Sequence, residues 1–200
     1  ATGYTNAIYI GNTTVHFIIR NCTLHDASPL SEPGYVGAGI SLVNVTHGTL
    51  DDNYCYNNYI GNYLFLSHGN EIMNSNFSYN RLSGLAVRRD SYLNSIKHIN
   101  CYDNNMGLGG NGVLINSGSH NNTLENVVSE KNDESGFEML NSRDNIFWNC
   151  SSDSNHIGYE LTGSDSNEFY NCTSLYNSDH GMIIGGSHEN YFESLNSSFN

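Results

Sequence analysis

Nine histidines, five cysteines and twenty acidic side chains are the residues of this 200-residue chain whose types can do chemistry. Two histidine pairs, His47 with His68 and His156 with His180, recur about one repeat apart along a period described below. Stacked imidazoles suggest copper or zinc, but a metal site needs three or four converging ligands. Two rings supply half a site at most, and solvated corner histidines account for them as well. Asp51, Asp52, Asp103, Asp133, Glu134, Asp153, Asp165 and Asp179 are scattered over different repeats. Sugar hydrolysis needs two carboxylates roughly 5–10 Å apart across a cleft. Chemistry on acidic sugars calls for Arg or Lys beside acids, and Arg88, Arg89 and Asp90 are the group that offers this. A loop ion pair explains that triplet equally, so the sequence assigns no catalytic residue, no metal ligand and no cofactor. Eight N-x-[ST] sequons stand at Asn12, Asn21, Asn44, Asn76, Asn121, Asn149, Asn171 and Asn196.

Seven Lys plus Arg against twenty Asp plus Glu give a formal net charge of −13. Binding to a phosphate backbone needs a basic face, so nucleic-acid binding is excluded, and adhesion to an anionic membrane is disfavoured. No apolar run approaches the roughly 18 residues of a spanning helix. Asn, Ser, Gly and Tyr are abundant while Lys, Ala and Pro are scarce, a poor composition for helices.

These residues are placed by a repeat. From Gly158 the chain reads G-Y-E-L-T-G-S-D-S-N-E-F-Y-N-C-T-S-L-Y-N-S-D-H-G, and from Gly136 it reads G-F-E-M-L-N-S-R-D-N-I-F-W-N-C-S-S-D-S-N-H-I-G. Equivalent marks are Gly39, Gly61, Gly84, Gly112, Gly136, Gly158 and Gly181, at steps of 22, 23, 28, 24, 22 and 23 residues. One and three places after the marks lie mostly apolar pairs such as Leu85 and Val87 or Phe137 and Met139, the period of a short strand. A third apolar column holds Leu50, Ile72, Ile96, Leu124, Phe147, Phe169 and Phe192. Short strands at a fixed period of 22 to 24 residues predict an all-β, right-handed, single-stranded parallel β-helix of about eight coils, one domain over residues 1–200. Like residues then stack roughly 4.8 Å apart. Asparagines recur about nineteen places on, from Asn58 to Asn177, and are expected at left-handed corners. Two further columns are Asn74, Asn126, Asn149 and Asn171, and Asn70, Asn121, Asn145, Asn167 and Asn190.

Stacking gives the cysteines and sequons their expected places. Cys150 and Cys172 are equivalent on neighbouring coils, and Cys22, Cys55 and Cys101 share a column two places further on. Stacked Cα atoms lie within disulfide range, so Cys22–Cys55 and Cys150–Cys172 are possible bridges, with Cys101 left free. Inert buried thiols are the alternative. No C-x-x-C occurs, which disfavours a structural zinc or redox pair. Asn149 and Asn171 are expected to face inward, whereas Asn21, Asn76 and Asn196 face outward and, with Asn12 and Asn44, are the glycosylation candidates.

The repeat, G-[apolar]-x-[apolar]-x-x-S-x-x-N-x-[apolar]-x-N-C, resembles the right-handed β-helix repeats of NosD-like proteins and of archaeal and bacterial cell-surface proteins. That resemblance implies the fold over nearly the whole chain. It also implies a spread of functions: copper accessory proteins within the family, and lyases, hydrolases, epimerases and tail-spike proteins in the wider fold. A D-P-H core like that of epimerases is absent from the sequence.

The period breaks at Thr23–Ala38 and at Asn105–Asn111, both just before a mark glycine, so both insertions are expected at one corner of the coil. Neither end shows an evident cap, and unpaired strand edges invite pairing. A longer chain, or end-to-end or lateral stacking of copies into an oligomer or polymer, is therefore expected. The reading drawn from these features is a non-enzymatic extracellular or cell-surface structural protein with no membrane span, such as a surface-layer, sheath, filament or adhesion component. Its alternatives are a polysaccharide-binding or polysaccharide-cleaving β-helix, with glycans as partners, and a NosD-like copper accessory protein.

Overall fold

The computed structural model describes residues 5–28, 36–105 and 109–198. Twenty-four strands wind into three parallel sheets of eight, each strand pairing with its equivalents one coil before and after. The first sheet carries Ile8–Thr13, Ala38–Val45, Ile60–Phe65, Ser83–Arg88, Asn111–Asn116, Ser135–Leu140, Ile157–Thr162 and His180–Gly185. The second and third sheets consist mostly of three-residue strands, such as Ile146–Trp148 and Ser151–Asp153. The β-helix expected from the period is the fold observed.

The apolar columns form the core. Ile40, Leu42, Leu64, Leu85, Val87, Val113, Ile115, Met139, Tyr159 and Leu161 of the first sheet meet Leu50, Ile72, Ile96, Leu124, Phe147 and Phe169 of the second, all essentially without exposure. Each such side chain contributes about 1.5–3 kcal/mol by leaving water. Rings continue from coil to coil, Phe147 on Phe169 at 4.6 Å and Phe137 on Tyr159 at 4.9 Å between centroids.

Two buried asparagine ladders close the corners, and they correct the predicted columns. In one, Asn70, Asn94, Asn122, Asn145 and Asn167 each donate from Nδ2 to the Oδ1 of the next coil's asparagine at 2.9–3.1 Å. The member from its coil is Asn122, not Asn121, because the turns after Gly84 and Gly112 hold one residue more than those after Gly136 and Gly158. Asn121 is the exposed residue just before it, with φ of 53°. The other ladder runs through Asn80, Asn104, Asn132 and Asn155. Its members do not take the left-handed corner. The residue before each one does: Tyr79, Asp103, Lys131 and Ser154 have φ of 55–59°. Tyrosine and lysine tolerate that conformation, which costs about 1–2 kcal/mol, because the asparagine that follows is held by the ladder.

The mark glycines are fixed by space rather than by φ. A Cβ on Gly158 would fall 1.9 Å from Ser174 Oγ and 2.2 Å from the Gly181 carbonyl oxygen. Ser174 itself donates to that carbonyl at 2.6 Å, tying the third sheet to the first across the corner. Gly158→Ala is therefore expected to cost about 1–3 kcal/mol as an overpacked core site. Urea unfolding checks this, and a cost near zero would show that the corner gives way freely.

Candidate functional site

The outer face of the first sheet carries the chemistry. Two places after successive mark glycines, Ser41, Tyr63, Ala86, Leu114, Glu138, Glu160 and Ile183 stand in one row across the paired strands. The early part of the face is apolar, with Ala38, Ile60, Tyr63, Ala86 and Leu114 packed together under Val36, Tyr59, Phe65 and Leu82. Past Leu114 the row turns acidic. There a groove of about 510 Å³ is lined by Leu82, Arg88, Gly109, Asn111, Leu114, Glu134, Glu138 and Glu160, a size that suits a small-molecule or sugar subsite.

Glu138 and Glu160 are in direct register on neighbouring strands. Asn111 Nδ2 donates to Glu138 Oε2 at 2.6 Å, and Ser135 Oγ donates to Glu160 Oε2 at 2.8 Å. Asn111 is itself fixed, its Oδ1 accepting from the Ser135 backbone N–H at 3.0 Å. Partial burial raises the Glu138 carboxyl above the ordinary range, and the negative charges of Glu160 and Glu134 add to the rise. The Asn111 hydrogen bond and Arg88 oppose it. Arg88 stands at the near end, its Nε donating to Asn116 Oδ1 at 2.9 Å. Gly109, at φ of 71°, lets Glu134 approach: a Cβ there would lie 2.9 Å from Glu134 Cγ. A half-buried carboxyl that holds its proton more tightly than usual, beside a second carboxyl, is an arrangement able to deliver a proton to a bound oxygen.

Of the acids singled out in the sequence, Glu134 reaches this groove and Asp51, Asp52, Asp103, Asp133, Asp153, Asp165 and Asp179 do not. Of the Arg88, Arg89 and Asp90 group, Arg88 lines it, while Arg89 turns into the corner and lies 5.6 Å above the Phe65 ring. Glu138 and Glu160 were missed by sequence reasoning. Their signal lies in the quoted repeats themselves: G-F-E-M and G-Y-E-L place Glu between two inward apolar residues, hence outward, in consecutive coils.

Other expectations change in register. Leu24, not Cys22, pairs with Cys55, because the first coil is 31 residues from Thr23 to its partner Tyr54. Cys22 instead donates its backbone N–H to Asn53 Oδ1. The Cys22–Cys55 bridge thus loses the stacking on which it was drawn. Cys150 and Cys172 do occupy equivalent places, and all five cysteines are free thiols in the structure. Burial pushes the Cys55, Cys101 and Cys150 thiols up, and Cys22 is the partly exposed one. Alkylation of the reduced native protein near pH 8 is expected to modify Cys22 first, with the other four reacting on unfolding; peptide mapping that finds Cys55 or Cys101 labelled as fast would contradict this core.

Asn149 and Asn171 are exposed at left-handed corners, not inward, and Asn21 belongs to their column. Asn76 and Asn196 share a different column on the third sheet. Asn12, Asn21, Asn44 and Asn196 are exposed and Asn76 is half-buried. His68 pairs with Thr46 rather than His47 and stacks on Tyr92 at 4.4 Å. His156 and His180 both approach Asp179, at 3.8 and 3.0 Å. No group of three or more His, Cys, Asp or Glu among the described residues is arranged to hold a metal ion. Thr23–His25, drawn as the start of an insertion, is a strand of the third sheet, and Asn111 opens a strand of the first. Residues 29–35 and 106–108 of the two insertions lie outside the described residues. A smaller hollow of about 330 Å³, lined by Asp26, Ala27, Ser28, Asn57 and Arg81, holds one carboxylate among the described residues.

The family described as right handed beta helix region matches residues 2–129 and 106–200. The chain belongs to the right-handed β-helix family. Among solved structures, the periplasmic alginate epimerase AlgG is similar over 90% of this chain and 50% of its own, at 15% identity and a TM-score of 0.76. Pectate lyase Pel9A is similar over 97% and 67%, at 14% identity and 0.63. The catalytic domain of a GH87 α-1,3-glucanase is similar over 94% and 54%, at 12% identity and 0.51. This β-helix thus spans half the length of the epimerase. A search of curated proteins gives no match. The expectation of a protein without enzymatic activity is corrected here: several solved structures that share this β-helix are named as an epimerase, a lyase and a glucanase, beside a bacteriophage tailspike protein.

Proposed function

We propose that this β-helix binds a polysaccharide along the outer face of its first sheet and cleaves it at the Glu138–Glu160 groove. The observation that carries the reading is the carboxylate pair itself. Two glutamates stand in register on adjacent strands, roughly 4.8 Å apart at the backbone, and burial and like charge make one of them hold its proton more tightly than an ordinary carboxyl. Side chains that rise together from adjacent strands can flank one glycosidic bond, as sugar hydrolysis by a carboxyl pair requires. Glu138 gives its proton to the glycosidic oxygen as the bond from the anomeric carbon breaks, and the Glu160 carboxylate adds to that carbon. Water, losing its proton to Glu138, then displaces Glu160 and regenerates both groups. Asn111 and Ser135 orient the two carboxyls.

Release of reducing ends from a polysaccharide panel tests this. Turnover lost in both Glu138→Gln and Glu160→Gln, with the fold intact, supports it, and turnover retained in both overturns it. Three further points of reading support export: the groove is suited to a polymer, the chain is acidic and all of its sequon asparagines but Asn76 are exposed. No helix among the described residues is long and apolar enough to cross a membrane. The narrower kinship with NosD-like repeats rests on the repeat residues alone, and copper titration tests the accessory role it implies.

A further inference from the structure

We infer that the groove takes an uncharged glycan, a chain bearing hydroxyls and no carboxylates, although two of the similar structures are named for acidic polymers. This rests on the reading of the groove as a glycan-cleaving site. A subsite for an acidic sugar must meet a carboxylate with cations or with N–H donors left free to receive it. Among the described residues lining the groove there is one cation, Arg88, against three carboxyl groups, those of Glu134, Glu138 and Glu160. The Nε of Arg88 is already committed to Asn116 Oδ1. The amide donor at the floor, Asn111 Nδ2, is given to Glu138, and the nearby Ser135 hydroxyl is given to Glu160. Beyond the remaining N–H groups of Arg88, what the lining offers is acceptor oxygens and apolar surface. Carboxyl oxygens accept from sugar hydroxyls, and the partly exposed Leu82 offers apolar contact to the C–H face of a ring. An acidic chain would instead bring like charge against like, which opposes binding, on a protein of net charge −13.

The test sets neutral polysaccharides (glucans, mannans and xylans) against alginate and polygalacturonate, with calcium present and absent and at low and high salt. Cleavage is read on the wild type and binding on Glu138→Gln. The expected result is that a neutral polymer is bound and cleaved at least about tenfold better than either acidic polymer. Raising salt should narrow that gap by screening the repulsion. Replacing the exposed Glu134 by glutamine should narrow it too, since a carboxylate leaves the wall. Cleavage of an acidic polymer as fast as or faster than any neutral one, abolished by Glu138→Gln, overturns the uncharged substrate and keeps the groove as the site. Neither class bound or cleaved overturns the groove reading and this inference with it.

Discussion

Glu138→Gln is expected to lose cleavage by about 10²–10⁴-fold, the usual worth of a positioned proton donor, and at neutral pH to melt higher than the wild type. The two effects come from one cause. Partial burial first, and then the charges of Glu160 and Glu134, hold the Glu138 carboxyl above its ordinary value of 4.5. The folded chain therefore takes up this proton more readily than the unfolded chain. The stability linked to it is complete below pH 4.5 and is lost as pH rises through the raised value. At pH 7 the wild type carries the cost of a half-buried carboxylate beside two others. Glutamine keeps the shape, and its Oε1 can still accept from Asn111, but it carries no charge. The expected gain is about 1 kcal/mol at pH 7, vanishing toward pH 4. Wild-type activity should also fall as pH rises through the Glu138 value, since the acid form is the donor. Melting curves over that range together with reducing-end assays check both. A variant that keeps activity within about threefold, or that is destabilised at pH 7, would remove Glu138 from the proposed role.

Asn122→Ala is expected to be among the most damaging single changes in the chain, costing about 3–5 kcal/mol, while Asn121→Ala one residue away costs about 1 kcal/mol or less. Asn122 is fully buried. Its Nδ2 donates to the Ser91 carbonyl at 2.9 Å and to Asn145 Oδ1 at 3.0 Å. Its Oδ1 accepts from the Asn94 backbone N–H at 3.1 Å and from Asn94 Nδ2 at 2.9 Å. Alanine leaves those partners in a dry corner, and each buried polar group without a partner costs about 1–3 kcal/mol. Asn121 is exposed, its amide reaching only the His120 ring at 2.9 Å, so its loss is confined to the left-handed backbone it holds. Urea unfolding of the pair decides the matter. Equal costs would mean that the ladder carries little of the stability of the solenoid.

Much of this protein is legible without coordinates. A parallel β-helix stacks chemically equivalent positions, so glycine, apolar residues and asparagine repeating at one period report the coil, its sheets and its core directly. Leu85, Val113, Phe137 and Tyr159 could be placed inward from spacing alone. Register at the corners could not. A turn one residue longer after Gly112 moved the ladder from Asn121 to Asn122, and the long first coil moved Cys22 away from Cys55. Turn length is set by which backbone groups find partners, and spacing counted from a glycine does not record it.

The site divides along the same line. Sequence determined that Glu138 and Glu160 sit at one place in consecutive repeats, since G-F-E-M and G-Y-E-L differ little. It did not distinguish them from the other acids, because an outward residue on a strand is ordinarily solvated and free of its neighbours. Tertiary structure decided that they meet. Parallel pairing in register sets Glu138 beside Glu160, the close approach at Gly109 brings in Glu134, and partial burial beside Leu114 and Asn111 raises the acid. Repetition fixes where a side chain stands along the coil. The stacking of unlike coils decides which charges share low-dielectric space, and in that shared space a carboxyl holds its proton to higher pH.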